Sequence, residues 1–337
     1  MRTKTYNLFL FSLVFSLSLF GNEDPLSSWN KGKAKSAILE FIKNSTDPDN
    51  SAYVRPENRI ATFDQDGTLW VEHPMYTQGL FALDRIKLLA KDHPEWNNKE
   101  PYKSIIDGDT QAVENFSETD WEQVIAETHT GMSTNEFHSI VAEWLSKAVH
   151  PRFKKPFTDL AYQPMKEVLE LFRANSYKTF IVTGGGQAFV RIYSQIVYGI
   201  PPEQVIGSSV KTKYEYQQGN PILLREQKVF FIDNNDGKAV GIDLFIGKKP
   251  TAAFGNSDGD KEMLEWTQSN AKTSLKMLVL HDDSNREYAY GPANGLPNTQ
   301  VGTFSESLMK EAEKQNFIII SMKNDWNRIF SFDVSAK

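Results

Sequence analysis

The chain has no cysteine among its 337 residues, which excludes a disulfide framework, a thiolate nucleophile and a Cys-linked lipid anchor. It also has no surplus of positive charge: Lys and Arg number 37 against 43 Asp and Glu, for a formal net charge of -6 and a pI near 5.6. Nucleic-acid backbones are held by clustered Lys and Arg, so a nucleic-acid partner is not expected, and an anionic small substrate would need a local positive site. No internal repeat or low-complexity segment is visible. The N-terminal apolar stretch from Leu8 to Phe20, interrupted by Ser12, Ser16 and Ser18, is shorter than the roughly 20 residues that cross a bilayer. Arg2 and Lys4 precede it and polar residues follow, so residues 1–21 read as a secretory signal peptide cut after Ser18 or Gly21. An export signal without cysteine leads us to expect a bacterial periplasmic or secreted enzyme with no stable membrane span after cleavage.

What is present is an ordinary globular composition, 40% hydrophobic and 24% charged, with ample material for one large domain or two modest ones. Ser36 to Asn44 places Ile38, Leu39, Phe41 and Ile42 at helical spacing. A first strand runs through Arg59-Ile60-Ala61-Thr62-Phe63. From about Met75 to Pro156, Leu80, Leu83, Ile86 and Leu89-Ala90 follow a 3.6-residue period, which predicts a helical insertion, with Trp121, Phe137 and Trp144 in its core. Strand signals return at 179–182, 204–206, 251–254 and 275–280, separated by helical patterns at 187–198 and 261–269. Alternating β and α elements predict an α/β fold, a parallel sheet with ligands at the carboxyl ends of its strands.

Four elements at those strand ends carry chemistry. In Asp64-Gln65-Asp66-Gly67-Thr68, two carboxylates two residues apart leave a strand through a glycine turn, which sets an anionic nucleophile beside a proton-transfer group. Thr183-Gly184-Gly185-Gly186 puts a hydroxyl and exposed amides before a helix, suited to cradling a phosphate. Lys238 opens the apolar stretch to Ile242. Gly255-Asn256-Ser257-Asp258-Gly259-Asp260 offers the hard acidic and amide oxygens that Mg²⁺ prefers. Each alone has a bland alternative: a solvated turn, a glycine-rich connection, a surface lysine, an acidic loop.

Taken in order, the four elements resemble the motifs of the haloacid dehalogenase superfamily, in particular its phosphoserine-phosphatase-like branch, with Met263 following the fourth. The resemblance implies a Rossmann-like parallel sheet with helices on both faces, formed by residues 22–74 and 157–337, and a helical cap at 75–156. It implies a Mg²⁺-dependent phosphatase acting on a small phosphomonoester through an aspartyl-phosphate on Asp64, with Asp66 as general acid and then base. Phosphatase is favoured over dehalogenase because a halide leaving group needs no proton from Asp66. Thr183, Gly184 and Lys238 would hold the phosphoryl group, with Lys248 and Lys249 as rivals for the lysine. Mg²⁺ would be held by Asp64, Asp66 and oxygens among Asn256, Asp258 and Asp260.

The sequence departs from the family pattern at Asn256, where Asp is usual; an amide oxygen can ligate Mg²⁺ but brings no charge. Trp70, Glu72 and His73 lie close enough to the nucleophile in sequence to reach the leaving group, Glu72 by meeting a cationic group and Trp70 by a cation-π face. His281-Asp282-Asp283 with Arg286, at the end of a late strand, is expected on the same side as a loop tied by Asp and Arg. Phosphocholine, phosphoserine and sugar phosphates are all compatible with these residues. Two other functions share the features: a phosphotransferase or phosphomutase using the same intermediate, and a non-catalytic phosphate-binding protein.

Overall fold

The computed structural model describes residues 24–268 and 274–333; the expected signal peptide lies outside them. Among the described residues no helix is long and apolar enough to cross a membrane. Helix α1 (Lys33–Thr46) buries Ile38, Phe41 and Ile42, and Phe41 packs on Phe172 and Tyr177. Strand β1 (Ile60–Phe63) is buried along its whole length, as expected of a parallel strand covered on both faces. Five helices follow: α2 (Thr77–Leu89), α3 (Tyr102–Asp107), α4 (Thr110–Glu114), α5 (Glu118–His129) and α6 (Thr134–Leu145). Ser117 and Ser133 start the last two, each closing a capping box, with Asp120 and Glu136.

The chain then forms α7 (Gln163–Ala174), β2 (Lys178–Gly186), α8 (Gln187–Val190), α9 (Ser194–Tyr198), β3 (Val205–Gln217) and β4 (Asn220–Phe231). After these come α10 (Asp236–Ile246), β5 (Ala252–Gly255), α11 (Lys261–Gln268), β6 (Leu275–Leu280), α12 (Glu306–Lys314), β7 (Ile318–Ser321) and α13 (Met322–Asp325). The seven strands make one sheet in the order β4-β3-β2-β1-β5-β6-β7. All neighbours are parallel except β3 and β4. Period-two alternation sends Phe63, Ile181, Phe254 and Met277 into one core, with α1 and α7. Ile60, Val182, Ala253 and Leu278 enter a second core on the opposite face, with α11 and α12. A third, smaller core, including Ala82, Ile86, Trp96 and Val124, holds the helices after β1 together.

Two predicted elements differ. The helix expected over 187–198 is two short helices, because the chain turns between them to stack Tyr193 on Trp70, ring centroids 4.5 Å apart. The strand expected at 204–206 continues to Gln217 and returns as β4. Its two-residue turn, Gln218-Gly219, has positive φ at both positions, the backbone a tight hairpin favours. The hairpin reaches the helices after β1: Gly131 N donates to Arg225 O and Arg225 N donates to Met132 O, each at 2.9 Å.

Candidate active site

β1 lies between β2 and β5, so its carboxyl end opens beside the Thr183 loop on one side and the Asn256 loop on the other. Asp64 N donates to Phe254 O at 2.9 Å, which ties the start of the Asp64–Thr68 turn to β5. Gly67 has φ +76, and a Cβ there would sit 2.1 Å from Asn256 Nδ2 and 2.3 Å from Glu72 Oε1; only glycine fits. Gln65 anchors the turn from below, donating to the Tyr193 and Tyr198 hydroxyls at 3.2 and 3.1 Å. From β6, His281 contributes a ring nitrogen 2.8 Å from Gly67 O, its other nitrogen lying 3.1 Å from Glu287.

Lys238, in the first turn of α10, is buried at the centre of this floor. Its Nζ donates to Asp64 Oδ1 at 2.5 Å, Asp260 Oδ1 at 2.6 Å and Val182 O at 2.9 Å. Burial opposes the Lys238 charge, but Asp260 and Asp64 outweigh it and raise its pKa. Asp64 is pushed up to about 8 by burial and by the nearby Asp260 carboxylate, against the pull of Lys238. Asp66 is pushed up to about 6 by burial, opposed by its hydrogen bond from Trp70 and by Lys238. Lys248 and Lys249 lie elsewhere: Lys248 donates to Glu57 O at 2.7 Å and Lys249 sits 3.6 Å over the Trp266 ring.

Thr183 is buried, and its Oγ1 accepts from Gly185 N at 3.0 Å. Gly184, Gly185 and Gly186 line the adjoining cavity. Gln78, from α2, was not singled out in the sequence, yet its Oε1 accepts from Gly186 N at 2.8 Å and its Nε2 lies 2.9 Å from His129. His129, Arg225 and Asn234 also line the cavity. No local spacing marks these residues, because they come from elements far apart in the chain.

Two residues expected among the metal ligands are engaged otherwise. Asp258 Oδ1 accepts from Ser305 N at 3.1 Å and Ser305 Oγ at 2.8 Å, beside the start of α12. Asp260 pairs with Lys238 and, through Oδ2, accepts from Asn256 N and Ser257 N at 2.9 and 3.0 Å. Asn256 Oδ1 accepts from Thr68 at 3.1 Å while its Nδ2 donates to Glu72 Oε1 at 2.7 Å. Among the described residues no three His, Cys, Asp or Glu side chains converge as a ready-made metal cage. The negative charge is nevertheless in excess: Asp64 and Glu72 are buried and Asp66 half-buried, and Glu72 is raised well above its usual range by burial, Asp66 and Asp64 among the causes. A divalent cation held by Asp64 with neutral oxygens fits that excess.

The expected leaving-group contacts are also redistributed. Trp70 is fully buried and donates from Nε1 to Asp66 Oδ1 at 2.7 Å; it positions the acid instead of offering a cation-π face. His73 packs against Tyr290, centroids 3.7 Å apart, with Nε2 3.1 Å from Val301 O. Glu72 alone of the three lines the cavity, and Tyr290 donates to it at 2.8 Å. Asp282, Asp283 and Arg286 form a tied loop: Asp282 accepts from Ser321 and Lys323, and Arg286 binds Asp283 and three carbonyls. Trp121 and Phe137 pack in apolar cores as expected, Trp121 with the helices after β1 and Phe137 fully buried against Phe81, and both also border the cavity; Trp144 packs on Phe81 and Phe157.

Similar solved structures include a functionally unknown protein from Anaerococcus prevotii, with 16% identity over 75% of this chain and 86% of that one and a TM-score of 0.49. Cytosolic 5'-nucleotidase IIIB bound to cytidine is 13% identical over 86% of this chain and 85% of its own, TM-score 0.43. A phosphoserine phosphohydrolase-like protein from Francisella tularensis is 14% identical over 66% and 88%, TM-score 0.34. No curated protein matches the sequence. Residues 61–265 match the family of haloacid dehalogenase-like hydrolases, a stretch that starts within β1 and ends in α11 and so spans Asp64, Thr183, Lys238 and Asp260; the chain belongs to that family.

Proposed function

We propose that the protein is a phosphatase that hydrolyses a phosphomonoester through Asp64, with Asp66 moving the protons. The observation that carries the reading is the buried Lys238 bridge from Asp64 to Asp260, with a second carboxylate, Asp66, held beside it by Trp70. Lys238 favours the ionised form of Asp64 and keeps its Oδ1 in place. The other oxygen attacks phosphorus as the bond to the leaving alcohol breaks, and Asp66 gives its proton to the departing oxygen. An acid with a pKa of about 6 holds a useful protonated fraction near neutral pH and is basic enough to take the proton back.

Asp66 then removes a proton from water, which attacks the same phosphorus. The bond to Asp64 breaks, inorganic phosphate leaves and the carboxylate is restored. Thr183 and the Gly184 amide orient the phosphoryl oxygens, and Lys238 offsets their charge. Mg²⁺ would be held by Asp64, the Asp66 main-chain carbonyl and Asn256 Oδ1, and would supply charge neutralisation at the phosphoryl group. Residues 75–156 act as a cap over this site, and the leader at 1–21 directs the protein to the periplasm or outside the cell.

The test is phosphate release from 4-nitrophenyl phosphate by the mature protein, with Mg²⁺ and with EDTA, alongside Asp64→Asn. Turnover requiring both Mg²⁺ and Asp64 is expected. Turnover by Asp64→Asn equal to that of the parent would overturn the mechanism.

A further inference from the structure

The cavity above Asp64 and Asp66 has a volume of about 830 Å³, near the top of the roughly 300–1,000 Å³ range of sites that enclose drug-sized ligands. A phosphoryl group with a two- or three-carbon alcohol would leave most of it empty. Most of its apolar wall comes from two elements that carry none of the proposed catalytic groups, and polar residues such as Ser208, Ser209, Thr212 and Gln187 also line the cavity. The helical segment contributes Met75, Phe116, Trp121, Ile125 and Phe137, and the β3–β4 hairpin contributes Val210, Leu223, Val229 and Phe231, with Ile232 following. Leu223, Val229 and Ile232 are 44%, 56% and 58% exposed, so apolar side chains lie open at the lip as well as inside.

The two arginines along these walls are held by main-chain carbonyls, not by carboxylates. Arg225 is buried, donates from Nε to His129 O at 2.6 Å and lies 4.1 Å over the Phe137 ring. Arg191 donates to Pro202 O and Val205 O at 2.9 and 3.0 Å. Lys238 is held by Asp64 and Asp260. His129 is kept neutral, pushed down to about 3 by burial and by Arg225 and Arg85. An apolar group gains by covering the aromatic wall and lip.

We infer that the substrates of this site are phosphomonoesters of bulky, largely apolar alcohols, whose leaving group fills the space between the helical segment and the β3–β4 hairpin. The inference rests on the phosphatase reading for its chemistry and on the cavity for its selectivity. A matched pair of primary alcohol esters separates size from leaving-group reactivity: 3-phenylpropyl phosphate and propyl phosphate, with O-phosphoserine as the doubly charged comparison. One methylene in an apolar pocket is worth about 10-fold or more in kcat/KM, so the phenylpropyl ester is expected to exceed both others by at least about 100-fold. Trp121→Ala should reduce the phenylpropyl-to-propyl ratio by roughly 10-fold.

The non-hydrolysable phosphonates of the same pair, titrated calorimetrically into the full mature chain, decide the selectivity independently of turnover. Tighter binding of 3-phenylpropylphosphonate, weakened by Trp121→Ala, is expected. Equal affinities for the two phosphonates, or faster turnover of O-phosphoserine, would overturn the inference. Absence of turnover for every ester would overturn the phosphatase reading, and the phosphonate titration would still report on the cavity.

Discussion

The floor and the roof of the cavity are built on opposite principles. The floor gathers Asp64, Asp66, Thr183 and Asp260 beyond the ends of adjoining parallel strands and Lys238 from the first turn of α10, and short polar contacts bind most of them to one another or to the main chain. The roof, from α2, α5, α6 and the hairpin, is mainly apolar. Its polar ties include Gln78 to Gly186 and the Arg225 main-chain bonds to Gly131 and Met132. Floor geometry depends on charges that cannot be removed singly without leaving a buried partner behind. Roof geometry depends on area and shape, which degrade gradually. Chemistry and selectivity are thus housed in regions with different tolerance to change.

Substitution at the nucleophile is the most severe way to break the floor: Asp64→Asn should lower kcat by at least about 10³-fold, read as initial-rate phosphate release. Lys238→Met should follow, since it strands Asp64 and Asp260 in the interior. A loss of about 3–5 kcal/mol is expected, measured by urea unfolding at pH 8 in EDTA.

The third effect is on the pH dependence of stability. Asp66 releases its proton near 3.8 when unfolded and near 6 in the native protein, so between those values the native state binds more protons. Its contribution is present below about pH 4 and is lost as the pH rises through 6. The change is on the order of 3 kcal/mol. Asp64, raised to about 8, extends the same decline to higher pH. In EDTA the protein should therefore unfold at a lower temperature at pH 8 than at pH 5, and Asp66→Asn should flatten part of that slope.

Trp70→Phe keeps the ring against Tyr193 and removes the donor to Asp66. The Asp66 pKa should rise, moving the alkaline limb of the kcat/KM profile upward by about half a unit to one unit. The roof should answer most weakly. Gln78→Ala frees Gly186 N, and inhibition by inorganic phosphate should tighten by roughly 2- to 10-fold, the worth of one ordinary hydrogen bond. A larger effect from Gln78→Ala than from Trp70→Phe would erase the distinction between the regions.

The same division governs what could be read from the chain. Strands around Phe63, Val182, Phe254 and Val279 were legible because each is a short apolar run ending in a polar turn. Asp64, Asp66 and Thr183 follow those runs directly and could be named from sequence, whereas Lys238, in the first turn of α10, is reached only through the order of the four motifs. Their partners were harder: Asp260 reads as one more metal oxygen until the fold brings Lys238 against it. Trp70 was named for a stacking face, but its indole N–H, which has only a donor's role, is what the site uses. The β3–β4 hairpin escaped because its turn is Gln-Gly, outside the strongest turn pairs. Gln78, His129 and Arg225 meet only through tertiary packing, which no spacing rule encodes.

The Lys238 bridge also constrains how the molecule can be assembled. Its two ends reach residues 174 and 22 positions away in sequence, the first with β2, β3 and β4 between them along the chain. Asp64 is made early in synthesis, whereas its counterion and that counterion's own support come much later. A growing chain that stopped short of Lys238 would have to enclose Asp64 without its counterion, so the middle strand of the sheet gains its full reward for burial only after the start of α10 has been synthesised.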